Sequence, residues 1–214
     1  MKGRENDDTI FFDYRIRGEE SDSNVTVYVE FKRGGPNGSV LALNAPATVS
    51  LDGQTFPTDS AKLTGAYYEI RRPARSFSGK HEIIFTDPYK KEHKAEFDFQ
   101  PFYLSQEIPA EVWRDSLVIH FKERDKEEYF RVSATDTSFA SRDIVELDTV
   151  RNGKLVVPAN KLKNLVDGPI VLLLSRELEK HFQSGPEVWG RVVVSYGMER
   201  EFTLKTPLSP GHAQ

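Results

Sequence analysis

In TIFFDYRIR, residues 9–17, Ile10, Phe12, Tyr14 and Ile16 fall on one side of an extended chain, and Asp13, Arg15 and Arg17 on the other. NVTVYVEFK (24–32) repeats the pattern, with Val25, Val27, Val29 and Phe31 alternating against Thr26, Tyr28, Glu30 and Lys32. A period of two puts one apolar face on a core and one polar face in water, as in half-buried antiparallel strands; a helix would scatter these side chains around its axis. VLAL (40–43), TVSL (48–51), YYEIR (67–71), HEIIF (81–85) and AEFDF (95–99) read as further strands. Turn signals separate them at GGPNG (34–38), Asp52-Gly53, Ser78-Gly79 and Asp87-Pro88.

The alternation stops in QPFYLSQEIPAEVW (100–113), which carries two prolines, and resumes beyond it. LVIHF (117–121), YFRVSA (129–134), IVELD (144–148), KLVV (154–157), IVLLLS (170–175), GRVVVSY (190–196) and EFTLK (201–205) are the expected strands. PANKLKNLVDG (158–168) suggests one short helix, started by Pro158 and stopped by Gly168. The halves share an order of signals. LDGQTFP (51–57) and VRNGKLVVP (150–158) each read as a hairpin running into a proline, followed by a glycine and three strands. On this reading HEIIFTDPYKKEHKAEFDF and VVVSYGMEREF are counterpart hairpins, and ELEKHFQSG (177–185) is a charged loop.

Seven or so short strands per half predict an all-β chain of two tandem immunoglobulin-like antiparallel sandwiches. The expected divisions are a flexible N-terminus at 1–8, one sandwich at 9–101, a linker at 102–113, a second sandwich at 114–206 and a tail at 207–214. The length of 214 residues suits two domains of this size.

Composition removes several classes of function. There is no cysteine, so disulfides, thiolate catalysis and Cys-ligated metals are out. Acidic and basic residues are interspersed with a net charge of −4, and no basic stripe suits nucleic acid. No apolar run has the roughly 20 residues that span a bilayer. No metalloprotease, nucleophile-elbow or phosphate-loop motif occurs.

His81 and His93, with Asp87 and Glu92 between them, look at first like metal ligands. Pairing 81–85 with 93–99 puts Phe85 opposite Ala95 or His93, which separates the two rings by roughly 13–20 Å. One metal cannot bridge that gap. DPYKKE is then an exposed turn in which Asp87 bonds the backbone. No metal and no cofactor are expected. Carboxylate pairs are plentiful, as in ERDKEE (123–128), but none is fixed across a cleft by the sequence.

Aromatic residues are the candidate binding groups. Tyr67 and Tyr68 are adjacent, so one must leave the core, and Tyr28 lies on the polar phase of its strand. With Trp189 they form the candidate ligand-binding set. Phe102, Tyr103 and Trp113 are candidates for packing between the domains.

The duplicated order of hairpin, proline, glycine and strands resembles bacterial envelope lipoproteins with tandem immunoglobulin-like domains. A D-[ST]-aliphatic tripeptide, similar to the O-glycan acceptor pattern of some such bacteria, occurs at Asp8-Thr9-Ile10, Asp59-Ser60-Ala61, Asp115-Ser116-Leu117 and Asp148-Thr149-Val150. The resemblance implies a periplasmic or surface protein anchored by an N-terminal lipid that this chain lacks; the alternative is a cytoplasmic protein. It implies a non-catalytic binding or spacer module with a protein or glycan partner. The alternative is a carbohydrate-binding module of a glycan-uptake system, and behind it a glycan-active hydrolase.

Overall fold

The computed structural model describes residues 9–57, 67–123, 126–136, 138 and 142–207. The expected flexible stretch 1–8, the tripeptide Asp59-Ser60-Ala61, His212 and all but Pro207 of the expected tail lie outside them. The protein is all-β with one short helix, as the alternation predicts. Its contacts divide it into two compact units, Met1–Pro101 with Glu177–Tyr196, and Phe102–Arg176 with Gly197–Gln214.

In the first unit β1 (Ile10–Glu19) and β2 (Asn24–Arg33) pair antiparallel, with Phe12 opposite Phe31 and Tyr14 opposite Val29. β2 also carries β3 (Ser39–Leu41) and β6 (Tyr68–Pro73). A second sheet runs β5 (Gln54–Thr55), β4 (Thr48–Leu51), β7 (Gly79–Thr86), β8 (Glu92–Phe99). The two pack face to face in an immunoglobulin-like sandwich. Phe85 of the second sheet lies 4.8 Å from Phe31 and 5.2 Å from Phe12, ring centre to ring centre. Burying each such ring contributes about 1.5–3 kcal/mol. The Asp52-Gly53 turn takes positive φ at both residues, which is why its chemistry is so restricted.

In the second unit β10 (Leu117–His120) pairs with β13 (Lys154–Val157). β11 (Glu128–Asp136) pairs with β12 (Ile144–Val150) on one side and β14 (Gly168–Gln183) on the other. Phe130 of β11 packs on Phe121, just beyond β10, at 4.9 Å. The one-turn helix α1 (Ala159–Leu162) follows Pro158, and Leu162 and Leu165 are buried. Arg114 fixes the segment by donating to the Leu162 and Leu165 carbonyls and to Asp167.

Three features differ from the sequence reading. The stretch 177–185 is not a loop. Its residues 177–183 are the far end of β14, residues 184–187 turn back into β15 (Val188–Lys205), and Glu177–Tyr196 groups with the first unit rather than with the 114–206 block. Contacts from β15 to β1 advance together along both strands, from Arg191–Asp13 to Ser195–Ile16. The strands approach closely at Gly190, where an added Cβ would lie 2.4 Å from the Phe12 carbonyl oxygen. Second, β15 runs unbroken through Gly197, so VVVSYGMEREF is no counterpart of the β7–β8 hairpin. Alternation continues across Gly197, and glycine is tolerated in a strand without turning it. Third, the stretch read as a linker supplies β9 (Glu111–Trp113), which pairs parallel with residues 203–205.

Candidate functional site on the outward face of the first unit

Alternation that buries Phe12, Tyr14 and Ile16 turns Phe11, Asp13, Arg15 and Arg17 to the opposite side of β1. The register with β2 sets Arg15 beside Tyr28 and Asp13 beside Glu30, and β6 adds Glu69 beside Tyr28. From β15 come Trp189, Arg191, Val193 and Ser195, and from β14 Glu177 and Glu179.

The middle of this face is a charge cluster. The Asp13 side chain is fully buried, although the alternation expects it in water. It accepts hydrogen bonds from Arg191 at 2.9 Å and Arg15 at 2.6 Å, and Lys32 approaches to 3.4 Å. Burial pushes its pKa up, but the bonds and charges of Arg191 and Arg15 outweigh that and hold the carboxyl at about 2. The bond to Asp13 in turn raises the Arg191 guanidinium. Sequence gives no warning of this pair, whose members are 178 positions apart. The only hint is an aspartate flanked by aromatic residues in FFDY.

At one end of the cluster a cleft of about 360 Å³ is lined by Arg15, Arg17, Tyr28, Glu30, Tyr67, Glu177, Val193 and Ser195, with Asp13 at its floor. The Tyr28 and Tyr67 rings are half-buried, 6.2 Å apart and tilted by 53°. Neither phenol hydroxyl hydrogen-bonds to a described residue, and neither does the exposed Glu177 carboxylate. Burial, and then the nearby Glu69 charge, raise the Tyr28 pKa, so its hydroxyl keeps its proton at neutral pH. At the other end Trp189 packs edge-on against Phe11 at 4.6 Å, beside His181 and Gln183. Tyr28, Tyr67 and Trp189 of the candidate set therefore share one sheet face.

Tyr68 does not join them. It is buried against Phe31, and its hydroxyl accepts the Leu43 backbone N–H at 2.7 Å. Of the adjacent tyrosines, Tyr67 is the one outside. Phe102 is buried within the second unit against Phe121 and Phe130. Tyr103 and Trp113 are about half exposed, with Lys205 Nζ 6.0 Å from the Trp113 ring centre.

The histidines have structural partners. Phe85 stands opposite His93 and Phe97 opposite His81. His81 bonds Asp52 and the Phe77 carbonyl and stacks on Phe77 at 3.9 Å. His93 is buried, bonded through Nδ1 to Ser184 Oγ at 2.9 Å, with Asp87 3.7 Å from Nε2. Asp87 is engaged by the Tyr89 and Lys91 backbone N–H groups, as the turn reading expects. His181 lies on β14 beside Glu179. Among the described residues no three His, Cys, Asp or Glu side chains gather into a cluster that would hold a metal ion.

No family model and no curated protein match the sequence. Several solved structures overlay it weakly. DIP-gamma IG1+IG2 matches at 10% identity over 87% of this chain and 94% of its own, with a TM-score of 0.24. The Ig1-2 module of the Drosophila receptor protein tyrosine phosphatase DLAR matches at 9% identity over 93% and 98%, with a TM-score of 0.26. A Bacteroides ovatus mixed-linkage glucan utilization locus protein, SGBP-B, in complex with a mixed-linkage heptasaccharide, matches at 14% over 93% of this chain and 61% of its own, with a TM-score of 0.21. Overlaps this low carry no argument about function.

Proposed function

We propose that the protein is a non-catalytic binding module that holds a neutral, polyhydroxylated ligand, a glycan, on the outward face of its first unit. The observation that carries this is the Tyr28–Tyr67 pair, whose rings and free hydroxyls open into a cleft between guanidinium and carboxylate groups. Ring faces suit the apolar side of a sugar, and Arg15, Arg17, Glu30 and Glu177 can donate to or accept from its hydroxyls. Arg15 and Arg17 are balanced by Asp13, Glu19, Glu30 and Glu177, which favours an uncharged ligand over an anion. Trp189 lies roughly 10–13 Å further along the strands, a second stacking position for a longer chain.

The floor of the cleft does not supply the acid that hydrolysis needs. A glycosidase needs one carboxyl held protonated near neutral pH. The cations around Asp13 drive it the other way, to about 2. An envelope location and a lipid anchor belong to this proposal. They rest on the resemblance and on the tripeptides at Asp115 and Asp148, and an apolar leader ending in cysteine upstream of residue 2 in the gene is the feature to look for.

The test is titration calorimetry or affinity electrophoresis of the full chain against neutral soluble polysaccharides. Saturable binding that falls at least tenfold in both Tyr28→Ala and Tyr67→Ala, with no product released, is the expected result. Binding that survives both substitutions would overturn the assignment.

A further inference from the structure

The second unit has an outward face of a different kind. β12 and β14 read IVELDTV and IVLLLS, and the run at 170–174 has no polar phase. Such runs belong to strands covered on both sides. Here the core takes only one side. Tyr129, Val145, Leu147 and Leu173 remain 66%, 61%, 67% and 45% exposed. They lie together: Leu147 and Ser175 flank Arg131, and Val145 and Leu173 flank Ser133. A contiguous apolar patch of this sort on a folded domain marks an interaction site.

We infer that this face joins two copies of the chain. The argument is its own complementarity. Arg131 is exposed among the apolar side chains, with no hydrogen bond or ion pair to a described residue. Asp143, exposed and with no hydrogen bond or ion pair to a described residue, directly precedes β12, one step beyond the Ala134–Ile144 pair, where continuing the alternation sets it on the side of Val145 and Leu147. Arg131 and Asp143 thus lie on opposite sides of the Val145–Ser133–Leu173 row. A two-fold axis along that row, in the plane between two such faces, sets Val145 on Val145 and Leu173 on Leu173. It also brings each Arg131 level with the other copy's Asp143, one strand spacing away and beside the Leu147 that faces that carboxylate, so the contact closes as an isologous pair in which each guanidinium can reach a carboxylate across the seam.

The edge of the sheet offers no competing route. On β12 the core-facing positions between Ile144 and Val150 hold Glu146 and Asp148. Antiparallel pairing of two β12 strands centred on Leu147 would set Glu146 against the second copy's Asp148. Inward charges on an edge strand oppose strand addition, and like charges directly opposite are destabilising. The face spans roughly 15 by 20 Å, about 300 Å² per copy and below the size of stable interfaces, so the association is weak, transient and dependent on concentration. It does not depend on the ligand proposed for the first unit.

Sedimentation equilibrium of the full chain, from about 1 to 500 μM, tests the inference. A monomer–dimer equilibrium is expected, weakened at least tenfold by Leu147→Asp and by either Arg131→Glu or Asp143→Arg alone. Combining Arg131→Glu with Asp143→Arg should restore it. These positions are exposed, and circular dichroism would confirm that each variant folds. A monomer throughout the range, a dimer indifferent to Leu147→Asp, or a double variant no better than the singles would each overturn it.

Discussion

Asp13 and Arg131 hold comparable places, each a single charge near the middle of an outward sheet face, and their surroundings are opposite. Asp13 is fully buried and ringed by Arg15, Lys32 and Arg191. Arg131 is exposed among Leu147, Val145 and Leu173, with no described partner. The first face is knit together by its charges and leaves two aromatic rings at its margin. The second leaves its apolar groups unpaired. One sandwich architecture therefore carries two outward surfaces of different chemistry, and the difference comes from the outward residues alone.

The largest expected effect that tests this contrast is Asp13→Ala. It strips three cations of a common buried partner. Loss of one member of a buried pair costs about 3–5 kcal/mol, and the lower end applies because Arg15 and Arg191 can still reach water. Urea denaturation should show a loss of about 3 kcal/mol. Arg131→Ala, the matching substitution on the second face, should change stability by less than about 0.5 kcal/mol. Similar losses in the two variants would mean that the faces are not built differently.

Acid should separate the faces next. The Asp13 pKa is lowered from 3.8 to about 2 on folding. Its stabilisation is therefore complete above about pH 4 and disappears as pH falls through about 2. The depression corresponds to about 2 kcal/mol. Stability measured from pH 5 to pH 2 should fall with a component that Asp13→Asn removes. An unchanged slope in Asp13→Asn would show that the cluster does not carry the acid response.

These contrasts also mark what sequence could disclose. β1, β2 and the turns at Asp52-Gly53 and Asn152-Gly153 were legible because burial on one face and positive φ leave local signatures; φ is positive at all four turn residues. Tyr28 was legible as an outward aromatic because parity assigns it, whereas for the adjacent Tyr67 and Tyr68 it says only that one of the two must face out. The far end of the β14–β15 hairpin was not. Residues 177–181 are exposed on both sides, so no apolar period announces a strand. The burial of Phe11 and Asp13 on a nominally polar phase was equally hidden, since Trp189 and Arg191 cover them from the other end of the chain. The second face was visible only as an excess, the apolar run IVLLL with no polar phase.

The smallest expected change in stability sharpens the comparison most. Tyr67→Ala removes a half-buried ring at the margin of the first face, and its neighbours Arg15 and Asp13 keep their own bond. Leu147→Thr removes a side chain that is 67% exposed on the second. Threonine suits a strand as well as leucine does, so both variants should melt within a few degrees of the parent. Their functions should then part. Tyr67→Ala loses the glycan and keeps self-association, whereas Leu147→Thr weakens self-association and keeps the glycan. Calorimetry and sedimentation on the same preparations would read both. A variant that lost both functions while still folded would mean that the two faces act as one site, and the division of labour drawn from Asp13 and Arg131 would fail.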